Sequence, residues 1–133
     1  MFLSPTPESI AALTERRITG QVTMLNLLRF REVADYSEFP DLAPSEPISG
    51  ERAYEIYSGL TLPLLSEVGG KPIFMGTGGS LLIGPADARW DRVLLVRYPD
   101  LGAFLAMTQN PAYHAGAGHR TAALADSRLL PIE

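Results

Sequence analysis

Cysteine is absent from the 133 residues, which removes disulfides, thiolate metal sites, iron-sulfur clusters and a cysteine nucleophile together. Histidine is scarce: His114 and His119 are the only two, without an HExxH pattern or a neighbouring carboxylate cluster, so no metal site is expected. An excess of basic charge is also missing. Lys and Arg number 11 against 15 Asp and Glu, a formal net charge of -4, and no basic stripe exists to neutralise phosphates. Nucleic acid and anionic membranes are therefore not expected as partners. The longest uncharged stretch, residues 72–86, is interrupted by Gly76, Gly78, Gly79, Gly84 and Pro85, so no membrane-spanning helix is expected. The first residues carry neither the basic start nor the apolar centre of a signal peptide, and a cytoplasmic location is the expectation.

What is present suits one soluble globular domain over 1–133, with 46% hydrophobic and 20% charged residues. Thr6, Pro7 and Glu8 offer a cap, a first-turn proline and a first-turn acid, predicting a helix that ends near Arg17 within an N-terminal extension, 1–20. Residues 21–31 read as a strand with Val22, Met24, Leu28 and Phe30 on one face and Leu25 and Leu27 on the other. The 33–48 segment holds Pro40, Pro44 and Pro47 among acids, so it reads as a proline-rich loop with one helical turn around 34–37.

Ser49 caps a predicted helix ending at Gly69-Gly70, with an apolar stripe of Ala53, Tyr57, Leu60, Leu64 and Val68 and a kink before Pro63. Residues 71–83 form a second strand, whose Gly76, Gly78 and Gly79 predict a bulge. A third strand, 90–98, has no glycine or proline. Two helices follow, opened by Asp100 and Asn110, and a last strand, 127–132, is marked as an edge by Pro131.

The order strand, helix, strand, strand, helix, strand is the split β-α-β, or ferredoxin-like, arrangement of an α+β fold with an antiparallel four-stranded sheet. It places the first and third strands centrally, and these are the two without glycine or proline. Right-handed crossovers put the main helices on one face. The other face also carries leucines and valines, and an identical sheet of a second copy is the simplest cover. A homodimer burying more than about 1,000 Å² is expected.

The segments Val22-Thr23-Met24-Leu25-Asn26-Leu27-Leu28-Arg29-Phe30, Trp90-Asp91, Tyr98-Pro99, Asn110-Pro111-Ala112-Tyr113-His114 and the run from His119 through Arg120 to Leu129 resemble the domain-of-unknown-function 1330 family. The resemblance implies a dimeric α+β barrel. That superfamily also contains cofactor-independent monooxygenases, chlorite dismutase-like haem proteins and muconolactone isomerase-like proteins. It assigns no reaction.

Candidate catalytic residues are Asn26, a polar amide inside an apolar strand, and His114 and His119, the side chains that titrate near neutral pH. Against these stand a structural amide and packing histidines. Tyr54, Tyr57, Trp90 and Tyr98 are candidates for lining a ligand cavity, and Arg97 and Arg120 for pairing with an anionic group. Arg120 also matches a recurring basic position implied by the resemblance. Core packing and structural ion pairs are the alternatives. The glycine-rich 76–80 run is neither a dinucleotide fingerprint nor a P-loop, and Ser80 lies in no nucleophile elbow.

The leading functional expectation is a dimeric protein that binds or transforms a small organic molecule in an apolar pocket between sheet and helices, with no metal or organic cofactor. The alternative is a non-catalytic dimerisation or regulatory module whose 33–48 loop contacts a protein partner.

Overall fold

A computed structural model describes all of residues 1–133. Helix α1 (Pro7–Glu15) starts from a reciprocal cap. Thr6 Oγ1 accepts from the Ser9 N–H at 3.1 Å, and Ser9 Oγ accepts from the Thr6 N–H at 2.9 Å. It ends where Arg17 and Gly20 adopt left-handed backbone, φ +51° and +74°. None of its residues is buried.

Strand β1 (Val22–Phe30) leads through the 33–48 segment, which contains a short 3-10 turn at Pro40–Leu42, into helix α2 (Gly50–Glu67). Strands β2 (Lys71–Ser80) and β3 (Arg89–Tyr98) form a hairpin. Helices α3 (Leu101–Thr108) and α4 (Pro111–Ala123) follow, and strand β4 (Leu124–Ile132) closes the chain. The sheet is antiparallel in the order β2-β3-β1-β4. This is the ferredoxin-like α+β arrangement, with β1 and β3 central.

Alternation along the strands separates two faces. Val22, Met24 and Leu28 of β1, paired with Tyr98, Val96 and Arg92 of β3, point toward the helices. Two buried clusters lie there. Leu28 joins Tyr54 and Tyr57 of α2, Ala122 and Ala123 of α4, and Leu124. Met24 and Val22 join Leu65 of α2, Met107 of α3, Val96 and Tyr98. A fully buried leucine or methionine contributes about 1.5–3 kcal/mol. The opposite face presents Leu25, Leu27, Val93, Leu95, Leu130 and Ile132, half-buried or exposed, with no element of the chain over them.

Several local expectations are corrected. No helical turn forms at 34–37. The Ala34 and Asp35 amides donate outward to Ile48 O and Ala122 O, and the Asp35 carboxylate takes the Ser37 N–H. The bulge in β2 falls between Pro72 and Phe74, where proline has no N–H to pair, rather than at the glycines. Strand β2 stops at Ser80, leaving Leu82 and Ile83 100% and 91% exposed at the hairpin tip. Leu60 is half exposed, and Leu65 takes a buried place in the α2 stripe. α4 turns directly into β4 at Leu124, three residues earlier than the expected strand start.

Candidate functional site

Between sheet and helices, the two clusters meet along a polar seam. Asn26 occupies the β1 position between Met24 and Leu28, which belong to different clusters, so it shares their helix-facing side. Its Nδ2 donates to Met24 O and Leu94 O, each at 3.3 Å, while its Oδ1 receives no donor from the chain. The amide is thus partly structural, with one acceptor left over.

Tyrosines gather around this seam. Tyr54 and Tyr57 lie one turn apart on α2, ring centroids 5.2 Å apart. Tyr57 meets Tyr113 of α4 edge-on, with the two hydroxyls at 2.9 Å. Tyr98, at the end of β3, packs edge-on against Phe104 of α3. Tyr113 touches both clusters. The Tyr54 and Tyr98 hydroxyls find no protein partner, although both residues are buried. Neither oxygen is sealed off, since the one fully enclosed side-chain polar atom without a partner is Arg31 Nε.

Burial pushes the Tyr54 phenol up to about 12, opposed by the nearby Arg120 charge. Burial likewise raises Tyr57 and Tyr98, and the neighbouring phenols add to it. At neutral pH all three are hydroxyl donors and none is a base.

The other candidates lie apart from this seam or at its rim. His119 is buried on α4, its Nδ1 2.7 Å from the Tyr36 hydroxyl, and burial lowers its pKa. It packs the 33–48 segment onto α4, together with Phe39 and Leu42, which sit over Gly118. That segment therefore lies on its own helix, and none of its residues borders the two clefts described below. Arg120 donates to Leu3 O at 2.7 Å and to Ser127 Oγ at 3.4 Å. His114 is exposed beside Tyr113. Arg97 lies on the helix-free face, opposite Lys71 and Thr23, and forms no ion pair. It alternates with the buried Val96 and Tyr98, so it points away from the core. Trp90 packs against Arg128, its ring 5.0 Å from the guanidinium.

The expected apolar pocket is instead filled by the two clusters. Two open clefts are polar and lie at one end of the sheet. One, of about 400 Å³, includes Arg31, Glu51, Arg89, Asp91 and Arg92 in its wall. Another, of about 220 Å³, includes Trp90, Arg29, Asp126 and Arg128. Of the sequence candidates, only Trp90 borders either one. Sequence reasoning did not single out Tyr36, Tyr113 or Ser127 as site residues. A tyrosine inside a proline-rich acidic loop is a signal that could have marked Tyr36.

No protein-family model matches the chain, and no curated protein matches it, so the domain-of-unknown-function 1330 assignment is not confirmed. Solved structures are more informative. The crystal structure of methylated RPA0582 protein shares 34% identity, covering 99% of this chain and 93% of its own, with a TM-score of 0.86. The chain belongs to the RPA0582 family. A second crystal structure from this family, of RPA0582 from Rhodopseudomonas palustris, is described as a protein of unknown function; it is 35% identical over 97% of this chain and 93% of its own, with a TM-score of 0.84.

Two more distant structures share the fold of the RPA0582 family alone. One is a dimeric protein of unknown function with a ferredoxin-like fold from Bacteroides fragilis, 13% identical over 85% of this chain and 95% of its own, TM-score 0.52. The other is SnoaB, a cofactor-independent oxygenase from Streptomyces nogalater, 13% identical over 86% of this chain and 93% of its own, TM-score 0.53.

Proposed function

We propose that this protein is a homodimer whose tyrosine seam between sheet and helices, closed by the two clusters in this state, opens to admit a small organic molecule, without a metal or organic cofactor. The observation that carries the reading is the pair of buried tyrosines, Tyr54 and Tyr98, whose hydroxyls have no protein acceptor and are not sealed from solvent. Placing two such hydroxyls beside the Tyr57–Tyr113 pair and the spare Asn26 oxygen makes sense when a ligand completes them. Because burial keeps these phenols protonated, they would donate hydrogen bonds to a carbonyl or hydroxyl oxygen of that ligand. Dimerisation covers the helix-free sheet face, and the Bacteroides fragilis protein that shares this fold is dimeric.

A thermal-shift screen of small carbonyl compounds tests the reading, since a ligand that binds only the folded state raises its stability. The expected result is a compound that raises Tm in the wild type and raises it markedly less in Tyr98→Phe. If no compound acts, or if Tyr98→Phe and Tyr54→Phe respond like the wild type, the seam is not the site.

A second reading, a non-catalytic module that contacts a protein partner, draws on the exposed Leu82 and Ile83 at the hairpin tip. Its test is whether Leu82→Ser with Ile83→Ser abolishes an association that Tyr98→Phe leaves intact.

A further inference from the structure

Each of the first three residues engages a different arginine. Met1 Sδ accepts from Arg31 Nη2 at 3.8 Å, the Phe2 ring lies 4.8 Å from the Arg128 guanidinium, and Leu3 O accepts from Arg120 Nη1 at 2.7 Å. The Phe2 backbone is held on both sides. Its N–H donates to Asp126 Oδ1 at 2.8 Å, and its carbonyl accepts from Ser127 Oγ at 2.6 Å. Beyond these contacts the anchoring is thin. Helix α1 buries no residue, and the ion pair recorded for it, Arg16 with Glu133 just past its end, is 3.7 Å long and largely exposed.

Arg120 is half-buried, and no carboxylate pairs with it. Its recorded acceptors are neutral: one backbone carbonyl and one hydroxyl. A guanidinium removed from water is better satisfied by a carboxylate, which accepts two parallel charge-assisted bonds. Leu3, whose carbonyl Arg120 holds, packs against the cluster that contains Tyr54 and Tyr57, so Arg120 stands at the edge of the tyrosine seam.

We propose that residues 1–3 form a displaceable strap and that Arg120 beneath it is the subsite for the carboxylate of a small apolar organic acid. This rests on the seam being the ligand site and names the class of its ligand. The strap displays the chemistry it stands in for. Leu3 presents a carbonyl oxygen to Arg120 while its side chain packs against the cluster that contains Tyr54 and Tyr57. An acid of that shape places a carboxylate where the carbonyl lies and a branched apolar body where the leucine lies. Ser127, released from the Phe2 carbonyl, gains a free hydroxyl beside the same carboxylate.

The probe is 4-methylpentanoate, which reproduces the leucine side chain and carbonyl with a negative charge. Its neutral control is 4-methylpentanamide. Calorimetric titration of the full chain is expected to show the acid binding at least about tenfold tighter than the amide. Leu3→Gly should tighten the acid severalfold by weakening the competitor, and Arg120→Gln should erase the preference. In the wild type, followed by NMR, the Phe2 and Leu3 amide signals should move to unstructured positions as the acid saturates. This second measurement keeps the test decisive if Arg120→Gln does not fold.

Equal binding of acid and amide, a preference that survives Arg120→Gln, or strap signals that stay put while the acid binds would each overturn the proposal. So would failure of the acid to bind at millimolar concentration. The carbonyl screen on Tyr98→Phe decides the seam separately, so the strap can fail while the seam stands.

Discussion

The Tyr36 hydroxyl and His119 Nδ1 meet at 2.7 Å with the rings edge-on, joining the 33–48 segment to α4. Burial lowers the His119 pKa below its ordinary 6.5, so the folded state favours the neutral ring, with Nδ1 accepting from the tyrosine. The unfolded chain takes up the proton first as pH falls. The stability from this neutral histidine is therefore complete above about pH 6.5 and is lost as pH drops through the lower folded value. Urea midpoints should decline between pH 7.5 and 5.5, and His119→Gln should flatten that part of the profile. Tyr36→Phe leaves Nδ1 without its donor and should cost about 1–3 kcal/mol by urea denaturation at pH 7.5. Packing was one of the two roles weighed for His119 from the sequence. Its partner was not legible, because Tyr36 is 83 residues away in a segment without periodicity.

At the scale of elements, the two central glycines of α4 have different neighbours and should respond differently to a methyl group. A Cβ on Gly118 would lie 2.6 Å from Leu42 Cδ1 and 2.7 Å from Phe39 Cγ. Both belong to a segment pinned by the Ala34, Asp35 and Tyr36 contacts. Gly118→Ala should therefore destabilise by about 1–3 kcal/mol and speed proteolysis near residues 36–42. On Gly116 the same methyl meets Leu60 Cδ1 at 3.1 Å, and Leu60 is half exposed and able to turn aside. The helix-propensity gain of up to about 1 kcal/mol should then prevail, leaving Gly116→Ala neutral or stabilised. The elements were readable because strand alternation, caps and glycine positions are local signals: Thr6, Ser49, Asp100 and Asn110 all cap as their types suggest. The grip of residues 1–3 on Asp126 and Ser127 spans 124 and 125 positions, with no pattern in the chain to announce it. The convergence of Tyr54, Tyr57, Tyr98 and Tyr113 depends on how α2 and α4 lie on β3, which no single segment encodes.

For the whole molecule, the proposed pairing rests on the helix-free sheet face. Leu25 and Leu27 of β1 lie beside Leu95 and Val93 of β3, flanked by Leu130 of β4 and Phe74 of β2, the last two more than half exposed. In a lone copy these side chains form an apolar patch with no element of the chain over it, the kind of surface that marks an interaction site. Against a two-fold-related copy they become the centre of an interface, since an isologous contact uses the same patch twice. Leu27 is the position to probe, because its side chain points away from both buried clusters and its replacement leaves the core intact. Leu27→Asp would bring two carboxylates, each opposite Arg128 of β4, into the apolar centre of a symmetric dimer, and a buried charge that is poorly paired costs about 3 kcal/mol or more. Together these shift the dissociation constant by several powers of ten. Sedimentation velocity at micromolar concentration should then show a dimer for the wild type and a folded monomer, with unchanged circular dichroism, for Leu27→Asp. A monomeric wild type would refute the pairing outright. A variant that stayed dimeric would move the interface off this face, toward the hairpin tip where Leu82 and Ile83 stand exposed.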